Sequence, residues 1–197
     1  MNHKGKNENL RILVIDESIE RARMVNDSLR DCGYVNVTIR TTDVPIWELV
    51  HDLKPNLILI DVESPGRDTL EQLTLIRDKQ PTPVILLTRD QDLTSIRAAI
   101  DSGVTSYITA GISPDIVQPA IEVATSTFRM FESLRSELQV AKNSLSDQKY
   151  IGKAKGFLME SWGLNENQAH AYIRKSAMDN KVKMAEIAKK ILQSKIV

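Results

Sequence analysis

The chain has 197 residues, 42% of them apolar and 26% charged, enough for one ordinary domain of about 120 residues plus an appendage of about 60. Its longest unbroken apolar runs, among them residues 57–60 and 84–87, fall far below the ~20 residues of a membrane span, so no membrane insertion is expected. The polar start MNHKGKNENL has no apolar signal stretch and the lone Cys32 cannot close an internal disulfide, so a cytoplasmic protein is expected.

The first 120 residues alternate β-type runs with helical spacing. RILVID (11–16) is followed by a helix in which Ala22, Val25 and Leu29 share a face and which Gly33 ends. VNVTI (35–39), NLILID (56–61), PVILLT (83–88) and VTSYIT (104–109) repeat the strand signal. Five strands alternating with helices predict a doubly wound α/β domain with a parallel sheet covered on both faces. The apolar middles of the first, third and fourth strands suit central positions, whereas VNVTI, with Asn36 and Thr38 on one side, suits an edge.

A fifth helix is predicted from Ser113-Pro114, an N-cap followed by proline at the first helical position. Ile121, Ala124, Phe128, Phe131, Leu134, Leu138, Ala141 and Leu145 recur at three- and four-residue intervals, with no stop before Gly152. Such length suggests a dimerising coiled coil over 113–148, although Arg135 and Lys142 interrupt a strict heptad. Three short helices should follow. The first covers 147–161 with Ile151, Ala154 and Leu158 on one stripe and stops at Gly163. The second opens on Asn165 with Gln168 in a capping box and buries Ala169, Tyr172, Ile173 and Ala177. The third holds Ala185, Ile187, Ala188, Ile191 and Leu192. Their core is read as Ala154, Leu158, Ala169, Ile173, Ala177, Met178, Ala188 and Ile191.

Charge is unevenly divided although the total is zero: residues 1–134 hold 14 Lys/Arg against 20 Asp/Glu, and residues 135–197 hold 12 against 6. The tail, at about +6, calls for an anionic partner. Lys153, Lys155, Arg174, Lys175, Lys181 and Lys183 supply its cations. Gly156 inside a helix costs about 1 kcal/mol against alanine, which close approach of another backbone, protein or nucleic acid, would explain. Tyr172 offers a stacking face if its ring is exposed.

At the front, Asp16-Glu17 end the first strand and Asp61 ends the third. Neighbouring strands would bring three carboxylates to one rim, the place where doubly wound sheets bind ligands. Oxygen ligands of this kind suit Mg²⁺, held by Asp16, Glu17 and Asp61. Asp61 is then placed as a carboxylate nucleophile for a phosphoryl group, with Thr88 as hydrogen-bond donor to a phosphoryl oxygen.

These residues, with the aromatic Tyr107 in the fifth strand, resemble the receiver domain of bacterial response regulators over residues 10–125, after a disordered start at 1–9. The resemblance implies Asp61 as phosphoacceptor and Thr88 and Tyr107 as switch residues. It departs at Ala110, where receivers carry lysine. The stretch KAKGFLMESWGLNENQAHAYIRKSAMDNKVKMAEIAKKIL closely resembles the ANTAR domain of AmiR/NasT-type antitermination regulators. Lys153, Ala154, Lys155, Gly156, Leu158, Met159, Gly163, Leu164, Ala169, Ile173, Arg174, Ala177, Met178, Ala188 and Ile191 match its pattern, within a unit at 135–197.

The combination implies a transcription antiterminator that binds hairpin loops of a leader RNA as a homodimer joined through the helical linker. An inhibitory sensor protein would control it, in nitrate, nitrite or other nitrogen-source assimilation. Two other readings stay open: a DNA-binding response regulator switched by aspartyl phosphorylation, and a protein-interaction switch without nucleic acid. An enzyme is not expected, since His3, His51 and His170 are scattered and no P-loop or metal-spaced Cys/His cluster occurs.

Overall fold

The computed structural model describes residues 9–109 and 113–194. Residues 1–8 of the expected disordered start, and Ala110, lie outside them. Strands β1 (Ile12–Asp16), β2 (Val37–Arg40), β3 (Leu57–Asp61), β4 (Val84–Leu87) and β5 (Ser106–Ile108) alternate with helices α1 (Ile19–Asp31), α2 (Ile46–Leu53), α3 (Arg67–Lys79) and α4 (Leu93–Asp101). The sheet is wholly parallel in the order β2-β1-β3-β4-β5. This is the flavodoxin-like order, with its switch point between β1 and β3. β1 and β4 are buried throughout while β2 is not, as expected for central strands and an edge.

The sheet separates two cores. On one face Leu13, Ile15, Ile58, Ile60 and Leu86 meet α2, α3 and α4. On the other, Ile12, Val14, Leu57, Leu59 and Ile85 meet Ala22, Val25 and Leu29 of α1 together with Val117, Ile121 and Ala124. Alternate residues of each strand thus feed opposite cores, as a period of two requires. Gly33, at φ 86°, turns the chain after α1, and Tyr34 N–H closes back on the Leu29 carbonyl at 3.0 Å.

Helix α5 begins where expected but runs from Pro114 to Trp162, 49 residues. The predicted end at 148 and the separate helix at 147–161 are therefore corrected: they form one element. Gly152 lowers helix propensity without breaking the hydrogen-bond ladder, and the packed residues just after it, Ala154 and Leu158, hold the backbone helical. The stop falls at Gly163, φ 66°.

The chain divides into two compact units, 1–131 and 132–197. In the second, the end of α5 packs with α6 (Glu166–Asn180) and α7 (Met184–Gln193). The Asn165–Gln168 capping box forms in both directions, each bond 2.9 Å. Ala154, Leu158, Ala169, Ile173, Ala177, Ile187 and Ala188 make the core, with Ile191 half-buried at its edge. Met178 and Tyr172 do not belong to it, being 67% and 41% exposed. At 100° per residue the stripe 169-173-177 leaves each of them turned off the buried face. Among the described residues no helix is long and apolar enough to cross a membrane.

Candidate functional site

Parallel pairing of β1 with β3 sets Asp16 opposite Asp61 at the C-terminal rim of the sheet. Asp16 is wholly buried. Its Oδ1 accepts hydrogen bonds from Ser18 N–H (2.7 Å) and from Arg21 Nε (3.1 Å) and Nη2 (2.9 Å). Ser18 caps α1, so the first helical turn carries the Arg21 guanidinium back over the rim. Arg21 was not foreseen as a site residue. Its signal, an arginine one turn into the helix that follows an acidic strand end, could equally mark an ordinary surface charge.

The other Asp16 oxygen, Oδ2, is buried without a hydrogen-bond partner among the described residues. Such an orphan acceptor is costly unless a cation or proton meets it. Burial, and next the Asp16 carboxylate, push the Asp61 carboxyl above the ordinary carboxylate range, with Glu17 adding to this; Arg21 and Arg89 pull it back. A dication would relieve the same strain, so this oxygen donor set fits Mg²⁺. The set is not preassembled: no three His, Cys, Asp or Glu side chains gather as a metal site among the described residues. Arg21 already engages Asp16, and Glu17 is exposed.

Thr88, at the end of β4, donates to the Glu63 carbonyl (2.7 Å) and accepts from Asp90 N–H (3.1 Å). Tyr107 donates its hydroxyl to the Asp90 carbonyl (2.9 Å). Both expected switch residues therefore hold the same β4–α4 loop. Beside them a groove of about 640 Å³ is lined by Arg21, Met24, Ser28, Asp61, Thr88 and Arg89 among others. Arg89 is the second cation that the sequence reading overlooked; it follows Thr88 directly.

If Arg21 competes with a dication for Asp16, Arg21→Ala should tighten Mg²⁺ binding about tenfold, because a unit charge close to the site is removed. Arg23→Ala, which deletes an exposed charge on the same helix, should change it little. Calorimetric titration decides: equal affinities for wild type and Arg21→Ala would remove Arg21 from the competition.

In the second unit Lys153, Arg174, Lys175, Lys181 and Lys183 are exposed, and Lys155 is partly so. Lys155 pairs with Glu166 at 2.6 Å and draws that carboxyl below its ordinary range. Lys181 ends α6 in the left-handed region (φ 54°) and Lys183 caps α7, so the tight connection between the two helices displays two cations. A Cβ added at Gly156 would meet no described atom within 4 Å, and the same holds at Gly152. Nothing among the described residues needs the missing side chain at either place.

Both Gly152→Ala and Gly156→Ala should accordingly raise thermal stability, each by about 0.5–1 kcal/mol. Hairpin RNA affinity is expected to separate them, falling only for Gly156→Ala if a partner backbone approaches there. Equal RNA affinities would leave Gly156 without that role.

The chain matches a response regulator receiver domain model over residues 12–122 and an ANTAR domain model over residues 139–192. It is 30% identical over 185 residues to the transcriptional regulatory protein PdtaR of Mycobacterium tuberculosis, covering 93% of this chain and 90% of PdtaR. It is 28% identical over 104 residues to the DNA-binding response regulator MtrA of Mycobacterium leprae, covering 53% of this chain and 46% of MtrA. Among solved structures, the signal receiver domain of the response regulator NarL from Mycobacterium tuberculosis aligns with TM-score 0.52 and 24% identity, over 59% of this chain and 97% of that domain. An acidic rim at the β1–β3 switch point, a Thr and a Tyr that hold the loop beside it, and a helical unit that matches the second model together place this chain among the response regulators that carry a receiver domain followed by an ANTAR domain.

Proposed function

We propose that this protein is a signal-controlled transcription antiterminator whose C-terminal unit binds hairpin loops of a leader RNA. The observation that carries the reading is the distribution of cations. Lys153, Arg174, Lys175, Lys181 and Lys183 stand exposed around a small helical core. They share a unit with Gly156, whose missing side chain no contact among the described residues explains. Loops expose phosphates and unstacked bases together, so a compact basic helical surface suits them.

The receiver supplies control. Asp61 is the acceptor position, and Asp16 and Asp61, with Glu17 at the edge, would hold Mg²⁺, which when bound compensates charge on a phosphoryl oxygen. Arg21 holds Asp16 in place, and Arg89 brings a positive charge toward Asp61 in a sequence that has Ala110 where the family carries lysine. Control by an inhibitory sensor protein that masks the dimer until released fits an acceptor site of this altered composition. Nitrate, nitrite or another nitrogen source is the proposed signal. The DNA-binding reading is weaker, because the likeness to the DNA-binding MtrA spans only 53% of this chain while the ANTAR match occupies the tail.

Neutralising Lys153 and Lys155 together should weaken hairpin RNA binding and lower the slope of affinity against salt by about one to two, one counterion per phosphate contact. Duplex DNA of equal length should bind weakly in all cases. An unchanged slope removes the two lysines from the interface, and equal affinity for duplex and hairpin favours the DNA-binding alternative.

A further inference from the structure

The C-terminal unit carries an aromatic pair that its core does not use. Trp162, the last residue of α5, and Tyr172 of α6 stand with ring centroids 5.1 Å apart and planes at 76°, edge to face. Buried pairs of this kind are ordinary packing. Here Trp162 is 55% exposed and Tyr172 41%, and the buried core of the unit closes without either. An edge-to-face arrangement covers one ring face with the other ring's edge, and both residues stay partly open to solvent. Each ring also restrains its neighbour, which lowers the entropy lost when something stacks on them.

The surroundings select the occupant. Lys155, Met159 and Trp162 follow one another at helical spacing along one side of α5, and Lys175 lies one turn beyond Tyr172 on α6. A second copy seated on this face would bring its own Lys155 and Lys175 against the first pair, an unfavourable encounter of like charges. An unpaired nucleobase joined to phosphates on both sides meets the aromatic faces and the lysines at once.

We propose that Trp162 and Tyr172 form a stacking platform for one unpaired base of an RNA loop, with Lys155 and Lys175 meeting the flanking phosphates. Lys155 then exchanges Glu166 for a phosphate. The platform rests on the RNA-binding reading above and adds to it the recognition of a base, which the lysines alone cannot provide.

The test uses the full chain with Trp47 replaced by phenylalanine, so that Trp162 is the only tryptophan. Two hairpins of identical stem are compared, one with an adenine loop and one whose loop is abasic. The adenine loop should quench Trp162 emission and the abasic loop should not. In an otherwise native chain, Trp162→Ala should cost about tenfold in affinity for the adenine loop with the salt slope unchanged, and Trp162→Phe should restore most of it. Absence of quenching, or equal affinity of Trp162→Ala and wild type, overturns the platform while salt-dependent binding lets the RNA reading stand. A wild type that binds neither hairpin overturns both. If Trp162→Ala alters sedimentation and leaves RNA affinity intact, the pair belongs to a protein interface and the platform is likewise overturned.

Discussion

Leu138→Asp combined with Leu145→Asp should leave the chain monomeric at concentrations where the wild type is a dimer. The start of α5 is anchored, since Val117, Ile121 and Ala124 are buried against the sheet. From Phe131 onward the stripe is left open among the described residues: Phe131, Leu134, Leu138 and Leu145 are all more than half exposed. Isolated apolar residues on a surface need no explanation, but a row of them along several helical turns does. A long solvated helix is also marginal without a partner.

With Phe131, Leu138 and Leu145 taken as one seam position and Leu134 and Ala141 as the other, Arg135 and Lys142 fall at the border. There their aliphatic stems cover apolar surface while the charges stay wet. Each buried leucine contributes about 1.5–3 kcal/mol. Removing two per helix and introducing carboxylates should weaken association by about a thousandfold or more. Sedimentation equilibrium checks it: a wild type already monomeric at micromolar concentration, or a double variant that still dimerises, would end the coiled-coil assignment.

The receiver was legible because each of its strands is a short apolar block bounded by polar helical spacing, and because a parallel sheet buried on both faces leaves few alternatives. Strand edges came out within two residues, and the polar residues of VNVTI marked the edge strand. Helix ends were read well where a side chain or glycine fixes them, at Gly33, Gly163 and Asn165. The error came at residues 147–148, where the linker was ended and a new helix begun although the chain stays helical through Gly152. Glycine's cost of about 1 kcal/mol is overridden by the burial of Ala154 and Leu158 just beyond it.

The acidic rim was legible as a set of positions but not as an electrostatic state. The sequence shows Asp16 and Asp61 ending strands; it does not show that the first turn of α1 folds Arg21 back onto Asp16. The sequence reading counted neither Arg21 nor Arg89 among the charges that act on Asp61. In the C-terminal unit the pattern overstated the core at Met178. It also passed over Trp162, because one aromatic at a helix end has no periodicity to betray it. Its role becomes visible only when Tyr172, ten residues away, is found against it.

The small size of the second core sets the other large effect. Leu158 is fully buried and is the largest side chain that α5 gives to that core, whose other fully buried members are mostly alanines. A unit of about 60 residues rarely holds more than 3–5 kcal/mol of stability from its core. Leu158→Asp removes a burial worth about 2–5 kcal/mol and adds an unpaired buried charge that costs several more, so the total exceeds what the unit has. The C-terminal transition should therefore vanish from the melting profile and RNA affinity should fall by at least about a hundredfold, while the receiver transition stays in place. Met178→Asp is the matching control. The sequence pattern groups Met178 with the core and the structure leaves it 67% exposed, so the charge should remain solvated and the unit folded. Calorimetry and RNA titration on the two variants separate the possibilities. Collapse with Met178→Asp would show that its face is covered by a partner copy, and a folded, RNA-competent Leu158→Asp would mean that the unit does not depend on this core.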